Sequence, residues 1–161
     1  MQTATKDITF TSGGLRLRGT LHLPPASGNP PPLVVGSHGL MASAESAKQI
    51  ALAQACTRAG IAFFRFDHRG CGRSEGDFRD VTTLEGRCED LLAAVAAVLS
   101  RHGTGNRLGL FGSSLGGATC LAAAGRLDVG PLAVVAAPVR SRELRPAAGS
   151  GSRMRKPNRA M

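Results

Sequence analysis

Residues 109 to 118 read Gly-Leu-Phe-Gly-Ser-Ser-Leu-Gly-Gly-Ala, an apolar run that breaks into two serines flanked by glycines. Within it, Gly112-Ser113-Ser114-Leu115-Gly116 fits G-x-S-x-G, the spacing of a serine that attacks a carbonyl carbon from a sharp strand-to-helix turn. Such a turn forces its central residue toward positive φ, and bulky side chains two residues to either side would collide, so Gly112 and Gly116 suit the spacing. Only Ser114 is framed symmetrically by glycines, which makes it the candidate nucleophile and Ser113 a spacer. A serine hydroxyl attacks poorly by itself and needs a base to take its proton. All four histidines, His22, His38, His68 and His102, precede Ser114 in the chain. The four cysteines, at 56, 71, 88 and 120, lack C-x-x-C spacing and read as reduced thiols rather than disulfides or zinc ligands. No residue spacing suggests a metal or an organic cofactor, and neither is expected.

The elements that must position the serine are legible on both sides of it. Residues 8–23 suggest two strands around Ser12-Gly13-Gly14, with Leu15, Leu17, Leu21 and Leu23 mostly at alternate positions. A proline-rich connector follows, and residues 33–36 read as a short buried strand entering Ser37-His38-Gly39-Leu40. Residues 45–59 suit a helix closed by Gly60, and residues 61–66 form the next strand. Thr82 and Glu85 fit a capping box that opens a second helix with apolar positions 88, 91, 92, 95, 98 and 99, and with Arg101 and His102 in its last turn. A strand at 107–111, a small-residue helix from the serine turn to about Leu127, and an apolar strand at 132–137 complete the pattern. Strand-helix alternation with continuous apolar strands predicts an α/β fold, a mostly parallel sheet with helices on both faces. Such a turn presents Ser114 at the carboxyl edge of the sheet, where open α/β folds bind ligands, and the helix behind it favours developing negative charge.

The chain has 161 residues and a net charge of +9. From Arg140 onward seven basic residues face only Glu143, so the first 139 residues carry just +3. The basicity belongs to a tail rich in Arg, Pro, Gly and Ser, read as a disordered segment 140–161 beyond a core at 1–139. Trp and Tyr are absent and no basic stripe is interleaved with aromatics, which argues against nucleic acid as a partner. No apolar run is long enough to cross a membrane, and the N-terminus lacks a secretory pattern, so a cytoplasmic location is expected.

Three segments together resemble the α/β-hydrolase superfamily, in its esterase, lipase and serine-aminopeptidase-like branch. They are Gly36-Ser37-His38-Gly39-Leu40, the run Phe66-Asp67-His68-Arg69-Gly70-Cys71-Gly72-Arg73-Ser74-Glu75-Gly76, and Gly112-Ser113-Ser114-Leu115-Gly116-Gly117. The resemblance covers roughly residues 8 to 139 and implies a serine hydrolase of ester, thioester or amide bonds acting on a small molecule. It implies Ser114 as nucleophile, with the backbone N–H of Leu115 and that of Leu40 (Met41 as the fallback) as oxyanion donors. It assigns His38 to shaping the oxyanion loop, and Asp67, Arg69 and Ser74 to loop-organising hydrogen bonds. His68 reads as structural, His102 as a cation at a helix C-terminus and His22 as a strand residue.

The family's triad follows the chain order Ser, acid, His. After Ser114 the sequence offers only Asp128 and Glu143 as acids and no histidine. Asp128 is expected at a helix end away from the strand tips, which leaves Glu143 as a poor candidate acid. The resemblance therefore implies an incomplete fold that stops after the sixth strand, without the last two strands and the cap. The composition of the tail is what a shifted reading frame in GC-rich coding DNA would give. An inactive or weakly active hydrolase is expected, or alternatively a non-catalytic module. In either case the apolar edge 132–137 invites self-association.

Overall fold

A computed structural model describes residues 4–138. The assignments made above to the tail 140–161 and to Glu143 lie outside the described residues. Strands β1 (Ala4–Ser12) and β2 (Leu15–Leu23) form a hairpin whose register closes at Ser12 and Leu15. Gly13 and Gly14 make the two-residue turn with φ of 54° and 79°, a conformation that matches the twist of the flanking strands. Then come β3 (Leu33–Ser37), α1 (Ala47–Arg58), β4 (Ala62–Phe66), a four-residue helix α2 (Phe78–Val81) and α3 (Leu84–Val98). The described chain ends with β5 (Leu108–Ser113), α4 (Leu115–Ala124) and β6 (Leu132–Val135).

The six strands lie in the order β1-β2-β4-β3-β5-β6. β3, β4, β5 and β6 run parallel, and β2 joins β4 antiparallel. Helices cover both faces, as expected from the alternation, and strand periodicity shows which face each takes. A methyl group added to Gly36 would collide with Gln49 of α1 and with Phe63, so Gly36 and Phe63 face α1. Their neighbours Val35 and Phe64 point the other way, into the main core with Leu91 and Val95 of α3 and Cys120 and Ala123 of α4. Phe10, Phe64 and Phe66 pack there with ring centroids 5.8 to 6.1 Å apart. β5 is buried along nearly its whole length between β3 and β6, as its continuous apolar sequence predicts.

Several boundaries differ from the sequence expectation. α1 spans Ala47–Arg58 rather than 45–59, α4 ends at Ala124 rather than about Leu127, and β6 ends at Val135 rather than 137 because Ala136 turns to φ 52°. Both ends of α3 also move. Thr83 caps α3, its hydroxyl accepting from the Gly86 N–H at 3.0 Å, where the capping-box spacing favours Thr82. The cause is α2, which is capped by Asp77 and already uses Thr82 as its C-cap. At the other end α3 stops at Val98, because Leu99 is extended, with ψ 128°. Arg101 and His102 are therefore not in its last turn, and His102 is no helix C-terminal cation. The Thr104 hydroxyl donates to the Arg101 and Val98 carbonyls, and the His102 carbonyl accepts from Lys6 Nζ at 2.9 Å.

β6 lies at the edge of the sheet and is paired only to β5 among the described residues. Val134 and Val135 are exposed on it. Leu91, by contrast, is fully buried under the sheet. Leu91→Ala is expected to cost about 2–5 kcal/mol, read as a lower urea midpoint with an unchanged slope.

Candidate active site

β5 runs directly into α4 through Ser114, whose φ of 53° and ψ of −127° no helix or strand shares. The turn is pinned from both sides: the Ser114 N–H donates to the Val135 carbonyl at 2.9 Å, and its own carbonyl accepts from Gly117 and Ala118. Ser114 is exposed, whereas Leu115 to Cys120 behind it are buried. The strained conformation predicted from the glycine spacing is thus present at the expected residue.

The glycines are required by approach. A methyl group on Gly112 would sit 2.3 Å from the Gly116 carbonyl oxygen, and one on Gly116 would sit 2.1 Å from the Ser37 carbonyl oxygen and 2.6 Å from that of His38. The loop after β3 therefore lies directly on the first turn of α4. This contact brings Gly39, Leu40 and Met41 beside Ser113 and Ser114, and together they line an open cleft of about 430 Å³ rimmed by Ser46 and Lys48. Among the described residues, the N–H groups of Leu40, Met41 and Leu115 donate to no protein acceptor. These are the three backbone donors that the sequence reading singled out, and an anion in the cleft would meet unsatisfied N–H groups at a helix start.

None of the four histidines stands ready to serve Ser114. His38 is buried, with Nδ1 2.8 Å from the Gly39 carbonyl oxygen and Nε2 accepting from the His68 N–H at 3.1 Å. That pairing places a proton on Nδ1 and requires a neutral ring. Burial, reinforced by the nearby Arg87 guanidinium, lowers its pKa to about 4. His68 is sealed, its Nε2 2.8 Å from Ser37 Oγ and its Nδ1 3.4 Å from Asp90 Oδ2. His22 accepts from Arg65 Nε within the sheet, and His102 lies on the loop after α3. Asp128 borders a 500 Å³ hollow with Pro32, Arg107 and Pro131, at the amino edge of the sheet and opposite to Ser114. It cannot act on the serine.

The loop after β4 is organised as the resemblance implies. Asp67 accepts from the Ala44 N–H at 2.7 Å and the Arg73 N–H at 3.0 Å, and Ser74 bridges the Asp67 carbonyl and the Arg18 N–H. Arg69 binds Asp90 through its backbone N–H at 2.9 Å and Nε at 2.8 Å. Burial would raise the Asp90 pKa, but the hydrogen bonds from His68 and Arg69 outweigh it and hold the carboxyl at about 2. Sequence reasoning missed Asp90 and Arg87. Both lie on α3 and both are fully buried. The signal was available, since two charges at i and i+3 fall within the apolar stripe of that helix.

Two expectations follow. Gly116→Ala forces backbone against backbone and should destabilise by more than about 2 kcal/mol, whereas Gly125→Ala, where nothing lies within 4 Å, should be neutral or slightly stabilising. Urea denaturation of both variants checks this. Stability should also fall on acidification. Between pH 6.5 and about 4 the unfolded chain binds a proton at His38 that the folded protein refuses. The loss from His38 alone approaches about 3 kcal/mol, and His22 and His68, whose pKa values are also lowered, act in the same direction. A urea midpoint that stays flat from pH 7 to 4.5 would contradict this.

Comparison with known proteins agrees with this geometry. Residues 28–154 match the family described as serine aminopeptidase, S33. The chain is 31% identical over 122 residues to the quorum-quenching protein AidA of Acinetobacter baumannii, covering 75% of this chain and 40% of that protein. It superimposes on Est1E from Butyrivibrio proteoclasticus, solved with ferulic acid bound, with a TM-score of 0.70 and 26% identity over 78% of this chain and 50% of the other. The α/β hydrolase GrgF from Penicillium sp. sh18 gives a TM-score of 0.72 and 29% identity over 83% of this chain and 46% of the other. The chain thus spans about half the length of the relatives it matches or less, and corresponds to the N-terminal portion of their fold. It belongs to the serine aminopeptidase S33 family of α/β hydrolases.

Proposed function

We propose that this chain holds the nucleophile and the oxyanion hole of a serine hydrolase acting on carboxylic ester, thioester or amide bonds of a small molecule. The observation that carries the reading is the exposed, strained Ser114 lining one cleft with Leu40 and Met41, whose N–H groups, like that of the adjacent Leu115, donate to no protein acceptor among the described residues. Ser114 Oγ attacks the acyl carbon, its proton passes to water or to a base supplied from outside the described residues, and the carbonyl oxygen becomes an oxyanion received by Leu115 N–H and by Leu40 or Met41 N–H. Removing one such donor costs about 10²–10³ in turnover where this has been measured. The ferulic acid held by Est1E favours carboxylic esters within the class.

Among the described residues no histidine stands beside Ser114 to accept that proton. Each histidine of the chain is engaged or distant, and losing the base of such a triad costs on the order of 10⁶ in turnover. The chain alone is therefore a slow catalyst. A second reading, a non-catalytic module that associates with another copy through β6, is favoured by the lack of a ready histidine and by an edge that, among the described residues, pairs on one side only and exposes Val134 and Val135. The four free thiols suit a reducing compartment such as the cytoplasm. No helix among the described residues is long and apolar enough to cross a membrane.

A fluorophosphonate should label the chain slowly at Ser114 and leave Ser114→Ala unlabelled. Added imidazole, a diffusible base, should speed hydrolysis of an activated ester by the chain beyond the background seen with Ser114→Ala. Equal labelling of both proteins would overturn the nucleophile assignment. Absent labelling of a folded chain that dimerises with rising concentration would favour the second reading.

A further inference from the structure

Among the described residues Arg87 is the largest fully buried side chain, and no carboxylate forms a salt bridge with it. Its Nη2 donates to the His38 carbonyl, Nε and Nη1 find no nitrogen or oxygen acceptor, and only the weakly accepting Cys71 thiol lies beside them. Burial lowers its pKa to about 10, which still leaves the guanidinium charged near neutrality. A buried cation with two donors left without a strong acceptor is a poor choice for stability, because an apolar side chain of similar volume would fill the site without that desolvation. Its one strong contact falls on the peptide that joins His38 to Gly39, one residue before the loop donors.

We infer that Arg87 is a positioning residue for the oxyanion loop: by gripping the His38 carbonyl from within the core, it fixes the peptide planes that aim the Leu40 and Met41 N–H groups at the cleft. Five contacts define that loop. The His38 carbonyl is held between Arg87 and the Cα of Gly116. The His38 ring is fixed by the Gly39 carbonyl and by the His68 N–H. The Gly39 Cα packs over Ser113 and Ser114, since a methyl group there would meet both at 3.5 Å. Only Arg87 holds the carbonyl by a charge-assisted hydrogen bond, the strongest kind available to a peptide oxygen. Without it, the His38 carbonyl keeps only its packing against Gly116, and the His38–Gly39 peptide can tilt and carry the following N–H groups out of line. The inference deepens the proposed hydrolase reading and rests on it for its catalytic meaning.

The test compares the full chain with Arg87→Met, which keeps volume and removes the donors, and Arg87→Lys, which keeps a charge and one donor direction. In Arg87→Met, amide hydrogen exchange should quicken by about tenfold or more at His68, whose buried N–H donates to the His38 ring, while the strands keep their protection. The maximal rate of fluorophosphonate labelling should fall by about 10²-fold, with the concentration for half-maximal rate unchanged, because the donors act on the developing oxyanion. Arg87→Lys should recover part of both. Unchanged exchange at His68 in a folded Arg87→Met protein overturns the positioning role, whatever the labelling does. If the unmodified chain takes no label at Ser114, the hydrolase reading fails, and the exchange data still decide whether Arg87 holds the loop. If Arg87→Met does not fold, the same comparison is made with Arg87→Lys, where wild-type exchange together with wild-type labelling overturns the inference.

Discussion

The arrangement depends on one contact between two backbones. The carbonyls of Ser37 and His38 rest on Gly116, so closely that a single methyl group there would lie 2.1 Å from an oxygen. This contact sets the distance between the loop after β3 and the turn after β5, and hence the width of the cleft that Ser114 faces. The rest of the site supports it. β3 and β5 are adjacent parallel strands in register from Leu33 with Leu108 to Ser37 with Gly112, so both chains reach the carboxyl edge at the same height. The loops there have little freedom left.

Beneath that edge α3 supplies the two charges that keep the loops in place. Arg87 reaches the loop after β3, and Asp90, one turn further, reaches the loop after β4 through Arg69 and His68. The result includes a Ser37–His68–Asp90 chain with the connectivity of a catalytic triad. Burial decides against that function: all three are fully inaccessible, so no substrate carbonyl can reach Ser37. The chain holds structure. The neutrality of both imidazoles fits this role, because burial and the Arg87 charge lower the pKa of His38 and His68 alike. Each ring then keeps one donor and one acceptor nitrogen, as its partners demand.

What the sequence made legible was local. The period-two strands, the glycine spacing around Ser114 and the loop of Asp67 to Ser74 each follow from steric or hydrogen-bonding rules within a short window, and the fold agrees with them. Boundaries set by competition between neighbours were less legible. Two adjacent threonines could each cap α3, and the choice fell to Thr83 only because a four-residue helix had taken Thr82. His102 fits a helix end until Leu99 turns extended three residues earlier. Arg87 and Asp90 were missed for a different reason. A charge within an apolar helical stripe signals a buried partner, but the partner is 49 residues away for Arg87 and 21 or 22 for Asp90, beyond any local pattern.

This distribution separates two tasks that a serine hydrolase must combine. Stabilising an oxyanion requires fixed dipoles, which here come from backbone N–H groups held by β3, α3 and α4. Moving a proton requires a titratable group with a pKa near neutrality and room to turn. Every histidine of the chain fails that second requirement by burial, by engagement or by distance, and Asp128 fails it by lying at the opposite sheet edge. The first task needs only preorganisation, so it can be complete while the second is unmet. Under the proposed reading, the cleft at Ser114 would offer an oxyanion donors that do not depend on the base. An anionic acyl-transfer mimic should meet the same N–H groups whether or not a proton can leave the serine.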